Sequence, residues 1–186
     1  MRITAIVGST RRGNTYSMVE AGCHGLKDCD VELIHLKDLK IEFCDGCLTC
    51  DTEGECHHND DMKVIINKLV ESDGFIFGTP VRWNLLSGEL KVFLDRLNPV
   101  AVTEKLRGKR AILFVVGQSN EENIDSIYMA KKSLQFFCDS AGIDVIESVE
   151  AIDCLNSNDL ISKYPNKLNE CKVAAKNLID SIKSTI

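Results

Sequence analysis

The amino-acid sequence predicts an α/β protein, a parallel sheet covered by helices on both faces. Three observations carry that expectation. Short apolar runs alternate with longer amphipathic segments along the chain, as in repeated strand–helix crossover units. The short runs are apolar at nearly every position rather than every second one, which suits strands buried on both faces. The segments richest in polar side chains and glycine follow strands, on the edge where such folds bind ligands.

Taken in order, residues 3–7 read as a buried strand and 15–26 as a helix. Residues 31–36 form the second strand, after which a cysteine-bearing segment interrupts the pattern as a loop. Residues 61–72 carry Val64, Ile65, Leu69 and Val70 on one helical face. The third strand, 75–78, is stopped by Thr79-Pro80, and 87–97 is a helix with Leu90, Val92, Phe93 and Leu97 apolar. Residues 111–116 are the fourth strand, 123–141 a long helix and 145–149 the fifth strand. The last helix, 165–182, opens at Pro165, whose missing N–H costs nothing in a first turn. Right-handed crossovers then give a sheet with helices on both sides.

The 186 residues suit one domain, 1–186, with a cysteine-rich loop at 43–59. Hydrophobic residues at 44% and charged residues at 27% are ordinary for a soluble globular chain. A net charge of −6 argues against nucleic acid as a partner. No window has the length of a membrane span. The N-terminal apolar run is too short for a secretory signal and is followed at once by Ser9, Arg11 and Arg12. The expectation is a cytoplasmic protein, no membrane partner and no disulfide framework among the nine cysteines. Cys23, Cys29, Cys138, Cys154 and Cys171 are scattered and read as small packing residues.

Between the first strand and helix lies Gly8-Ser9-Thr10-Arg11-Arg12-Gly13-Asn14-Thr15. Free N–H groups and the dipole at a helix start favour an anion. Ser9, Thr10, Asn14 and Thr15 offer hydrogen bonds, Arg11 offers charge, and Gly8 and Gly13 permit close approach. The segment matches neither Gly-x-Gly-x-x-Gly nor a Walker loop. A single terminal phosphate therefore fits better than a dinucleotide pyrophosphate. The structural alternative is a polar turn with Asn14 as helix N-cap.

After the third strand, Pro80 fixes one backbone torsion. N–H groups from Val81 to Asn84 are placed to meet the polar edge of a planar ring, and Trp83 offers an apolar face, or else is a core or interface aromatic. Gly117 and Gln118 follow the fourth strand as a third candidate edge.

Cys44, Cys47, Cys50 and Cys56 stand at C-x2-C-x2-C-x5-C spacing. Sequential thiolates in one loop can wrap an iron–sulfur cluster, with Gly46 and Gly54 supplying turns. Zinc is an alternative ligand, and a loop without metal is another. His57 and His58 read as solvated or as outer ligands, and Asp60 and Asp61 as capping the next helix rather than as a catalytic pair.

The phosphate segment, together with Asp73-Gly74-Phe75-Ile76-Phe77-Gly78-Thr79-Pro80-Val81-Arg82-Trp83-Asn84, Ser87-Gly88 and Leu90-Lys91-Val92-Phe93-Leu94-Asp95-Arg96, resembles the NADPH-dependent FMN reductase group of flavodoxin-like proteins. The resemblance runs from Met1 to about Gly117 and is thin afterwards. It implies a flavodoxin-like three-layer sandwich with a five-stranded parallel sheet in the order 2-1-3-4-5, bound FMN, and a loop at Pro80, Val81, Arg82 and Trp83 that cradles the isoalloxazine ring. Arg82 departs from the family's usual residue there. The cysteine segment resembles the compact motif of the iron–sulfur flavoproteins of this class, whose four cysteines hold a [4Fe-4S] cluster.

The implied function is electron transfer between a reduced donor and an acceptor, small molecule or protein, with the cofactors and no catalytic side chain doing the chemistry. One alternative is an NAD(P)H-dependent FMN or quinone reductase without a cluster. Another is a non-enzymatic flavin-binding protein with a zinc loop. The resemblance also implies a homodimer or homotetramer with FMN near a subunit boundary.

Overall fold

The strands form one parallel sheet in the order β2-β1-β3-β4-β5, the flavodoxin-like arrangement with its switch point between β1 and β3. The structure, a computed structural model, describes residues 1–120 and 124–184. The strands are β1 (Arg2–Val7), β2 (Asp30–His35), β3 (Gly74–Pro80), β4 (Arg110–Val116) and β5 (Asp144–Ala151). The helices are α1 (Asn14–Gly25), α2 (Thr49–Glu53), α3 (Met62–Glu71), α4 (Gly88–Asp95), α5 (Asn98–Val102), α6 (Asp125–Ala141), α7 (Asp159–Lys163) and α8 (Pro165–Lys183).

Alternate side chains of the strands feed two main cores, beside a small third cluster of Val115, Ile127 and Ala130. Ile3, Ala5 and Val7 of β1, with Ile76, Ile112 and Phe114, pack under Met18 and Val19 of α1 and Ala174, Ala175 and Leu178 of α8. On the other face Ile6, Phe75, Phe77 and Leu113 pack against Ile65 and Leu69 of α3, Leu90 and Phe93 of α4, and Leu134 and Cys138 of α6. Each face buries a full apolar layer, so the central strands carry no solvent-facing side. A register shift between Ala111 and Ile112 marks the pairing of β4 with β5.

All five strands and the five long helices lie where the sequence places them, with ends displaced by a few residues. The start expected for the long helix, Asn123, falls outside the described residues; the helix is described from Asp125. Sequence periodicity missed α2, α5 and α7. Each has five residues, too short to show a 3.6-residue repeat. The cysteine segment is accordingly not all loop, because α2 carries Cys50. Among the described residues no helix is long and apolar enough to cross a membrane.

Candidate functional site

Three strand ends build a narrow cleft. Its walls are Ser9, Arg11, Gly13, Asn14 and Thr15 after β1, Pro80, Val81 and Arg82 after β3, and Val116, Gly117 and Gln118 after β4. The volume is about 30 Å³, room for phosphate oxygens but not for an aromatic ring. Helix α1 starts at this cleft with Gly13 at the N-cap position, no side chain capping it and no acidic residue in its first turn. Its first N–H groups thus remain available to an anion without a competing carboxylate. Thr10 does not join this cleft. It lies in a neighbouring groove with Ile41, Phe43 and Gly88.

Asn14 does not cap α1. Its Nδ2 donates to the Asn156 carbonyl (2.7 Å) and its Oδ1 accepts from the Leu160 N–H (3.1 Å). The amide is spent pinning the loop after β5 against the phosphate loop. That loop supplies to the cleft wall Ser157 and Cys154, the latter expected only to pack, which it also does in the first core. Applying the strand-end rule to the fifth strand, where Asn156-Ser157-Asn158 follow, would have found them.

The phosphate loop is fastened from beneath. His35, at the end of β2, is buried, and its Nε2–H donates to the Ser9 carbonyl (2.6 Å). Ser87, the N-cap of α4, donates its hydroxyl to the Gly8 carbonyl, accepts from Leu90 N–H (3.1 Å), and donates its own N–H to Thr79 Oγ1 (3.1 Å). A Cβ on Gly8 would meet Leu90 Cβ at 2.7 Å. Gly8 is therefore required for packing against α4, since neither Gly8 nor Gly13 has a left-handed backbone.

The loop after β3 is a tight hairpin. Arg82 N–H donates to the Leu85 carbonyl (2.8 Å) and Leu85 N–H to the Arg82 carbonyl (3.0 Å). The two residues between, Trp83 (φ +47°) and Asn84 (φ +66°), are both left-handed, as a type I′ turn demands. Trp83 stands 97% exposed at the tip, so it is not a core aromatic. The expected row of free N–H groups is halved, because Val81 N–H is taken by Val116 (2.7 Å) and Arg82 N–H by Leu85. Those of Trp83 and Asn84 remain. At the third edge, Gly117 N–H is bound to Ala151 (2.9 Å).

The four clustered cysteines surround one cavity. Cys44, Cys47, Cys50 and Cys56 share a space of about 700 Å³ with Leu94 and Arg96 at the end of α4, with α5, and with Phe137 of α6. Gly46 (φ +70°), Leu48 (φ +62°) and Gly54 (φ +71°) make the left-handed turns of the segment. No three of these sulfurs lie within 4.8 Å of one another, whereas tetrahedral zinc at Zn–S of about 2.3 Å would hold its sulfurs roughly 3.8 Å apart.

Arg96 and Asn98 flank this cavity. The Arg96 guanidinium is 1% exposed and pairs with Asp60, also buried, at 2.6 and 3.1 Å, and donates to the Glu42 carbonyl at 2.7 Å. Burial would lower its pKa, but the Asp60 carboxylate and the nearby Cys56 sulfur outweigh burial and raise it. Its Nε is buried without a partner. Asn98 Nδ2 lies 2.9 Å from Cys50 Sγ and 2.9 Å from Asp51 Oδ1. Asp60 is thus chiefly the partner of Arg96; it also receives the Met62 N–H of α3 (3.1 Å). Asp61 occupies the N-cap position of α3 without a capping bond and accepts Lys40 N–H (2.6 Å).

His57 and His58 are not simply solvated. Their rings lie 4.1 Å apart, and both Nε2 atoms face Asp45 Oδ2, at 3.0 and 3.9 Å. The scattered cysteines divide. Cys138 and Cys171 sit in the two cores with thiols pushed by burial up to about 12. Cys154, pushed by burial up to about 11, is at the cleft.

Residues 1–147 match the NADPH-dependent FMN reductase family. An iron-sulfur flavoprotein of Archaeoglobus fulgidus is 36% identical over 112 residues, 59% of this chain, and the match spans 51% of that protein's own length. One of Clostridioides difficile is 28% identical over 91% of this chain and 76% of its own. Among solved structures, an NADH:FMN oxidoreductase in its apo form superposes with a TM-score of 0.70 at 23% identity, covering 97% of this chain and 89% of that one.

Proposed function

This chain belongs to the NADPH-dependent FMN reductase family, and from that premise we propose that it is a flavin-dependent oxidoreductase of the iron–sulfur flavoprotein type. Four cysteines opening onto one cavity, with a buried guanidinium and a carboxamide beside them, carry the cluster part of the reading. The donor set fits a polythiolate-bound cluster, since all four thiols line one cavity. For the flavin part, the uncapped α1 start, Ser9, Arg11 and Thr15 would hold the phosphate. FMN suits a cleft with room for one phosphate better than FAD does. The ring would lie outside the cleft, against Pro80, Val81 and Arg82, with the Trp83 and Asn84 N–H groups free to meet its polar edge.

When bound, FMN exchanges one or two electrons and the cluster one, so together they link two-electron and one-electron partners. The chain's own residues bind and orient; no side chain is assigned a proton-transfer role. A nicotinamide nucleotide is the proposed reductant, and a second copy of the chain the proposed cover for Trp83.

Anaerobic purification followed by iron, sulfide and flavin assay tests the reading. The expected composition is about four irons and one FMN per chain. FMN without iron, in protein made with ample iron and sulfide, would leave the NAD(P)H-dependent reductase alternative. Zinc in place of iron would leave the structural-loop alternative, and FAD in the heat-released fraction would overturn the phosphate assignment.

A further inference from the structure

We propose that Asn98 and Arg96 are positioning residues for the cysteine cavity, donating hydrogen bonds to its sulfur and setting how readily that site accepts an electron. The proposal rests on the cluster reading above and assigns a role to two residues outside the cysteine motif.

Asn98 opens α5 directly after the turn that ends α4. Its Nδ2 has two hydrogens and two acceptors, Cys50 Sγ and Asp51 Oδ1, each at 2.9 Å. Both neighbours accept, so the amide nitrogen must face them; the flipped amide would oppose oxygen to oxygen and to sulfur. One of the two bonds goes to a carboxylate, which anchors the side chain. The other is then aimed at sulfur by the anchor rather than by chance.

Arg96 presents a different signature. A guanidinium has five N–H donors, and those toward Asp60 and Glu42 are satisfied. Nε–H is buried and has no acceptor, an expensive state in a dry interior. The residue lines the cavity together with Cys56. An anionic sulfur lodged in the cavity supplies the missing acceptor. A purely structural arginine, pinning residue 42 to the start of α3, would need the Asp60 pair and no unpartnered donor at the wall of the cysteine cavity.

Donors to sulfur stabilise the more negative, reduced state of an iron–sulfur site and raise its potential. The step is a one-electron reduction with no bond made or broken, the electron coming from the electrode in the test below.

The test is a spectroelectrochemical titration of the anaerobic holoprotein, with iron content and the flavin midpoint read in the same samples. Asn98→Ala is expected to keep its iron and its flavin midpoint and to shift the cluster equilibrium about tenfold toward the oxidised form, ~59 mV. Arg96→Lys keeps the charge but lacks Nε–H, and is expected to shift it the same way. Ser140→Ala, at a residue of α6 that lines the cavity, serves as control and should not move it. Iron present with an unchanged midpoint in Asn98→Ala and Arg96→Lys overturns the proposal alone. Wild type without iron overturns the cluster reading, and the proposal with it. If Asn98→Ala sheds its iron, Asn98→Ser decides. Iron restored with an intermediate midpoint supports a donor role, and a serine variant as empty as the alanine one overturns it.

Discussion

Trp83 is a residue held where few of its kind sit. Bulky side chains with positive φ cost of order 1–2 kcal/mol, and such outliers collect at binding sites. Here the cost is accepted for a side chain that packs against nothing in its own chain. Trp83→Gly should therefore raise unfolding free energy by up to about 1 kcal/mol, glycine's extra unfolded-state entropy taking back part of the gain, while flavin affinity falls. Urea unfolding and flavin titration read the two effects separately; a loss of stability would show that the indole supports the fold. Asp60 is the opposite case, a buried charge that repays its burial. Burial pushes its carboxyl up, but Arg96 and the N–H groups of Glu42 and Met62 outweigh that and hold it below the ordinary carboxylate range. With the folded value depressed, the stabilisation is complete above the unfolded value of about 4 and is lost as pH falls through the folded one. Asp60→Asn leaves Arg96 buried without its countercharge and should cost about 3–5 kcal/mol at neutral pH. It should also flatten the acid limb of stability against pH, and parallel acid limbs in the two proteins would refute the assignment.

At the scale of elements, what could be read from sequence was whatever repeats. The strands announced themselves by unbroken apolar runs, and α3 and α4 by apolar positions at helical spacing, although Val64 of α3 turns out exposed. Chemistry concentrated in one segment was equally visible, as at Cys44, Cys47, Cys50 and Cys56. What stayed hidden depends on contacts between segments distant in sequence. Asn14 looked like a cap because the 142-residue span to Asn156 is invisible locally. Arg96 and Asn98 carry no motif of their own, and reach the cysteines only because α4 ends there. Asp60 looked like a helix start because its partner lies 36 residues away. The N–H groups of Val81 and Arg82 looked free because hairpin closure cannot be inferred from a Trp-Asn pair, which lacks the glycine usual in such turns.

For the whole molecule, the cysteine segment lies at the margin of the cores: its cavity borders the second core at Leu94, Ala101, Phe137 and Ala141. Both cores are built on the sheet, whereas α2 buries no residue. Chelating the metal from loaded protein should therefore leave a cooperative thermal transition and unchanged far-ultraviolet dichroism, unlike small metal domains that unfold without their ion. Collapse of the dichroism on chelation would mean that the cysteine segment is integral to the core. Helix α4 joins the cleft and the cavity, with Ser87 clamping the phosphate loop at its start and Arg96 just past its end. A helix is a dipole of about half a charge at each pole, so this one lays an electrical polarity between the two places. Negative charge is welcomed at the Ser87 pole and resisted at the other, and at that resisting pole the chain buries a permanent cation.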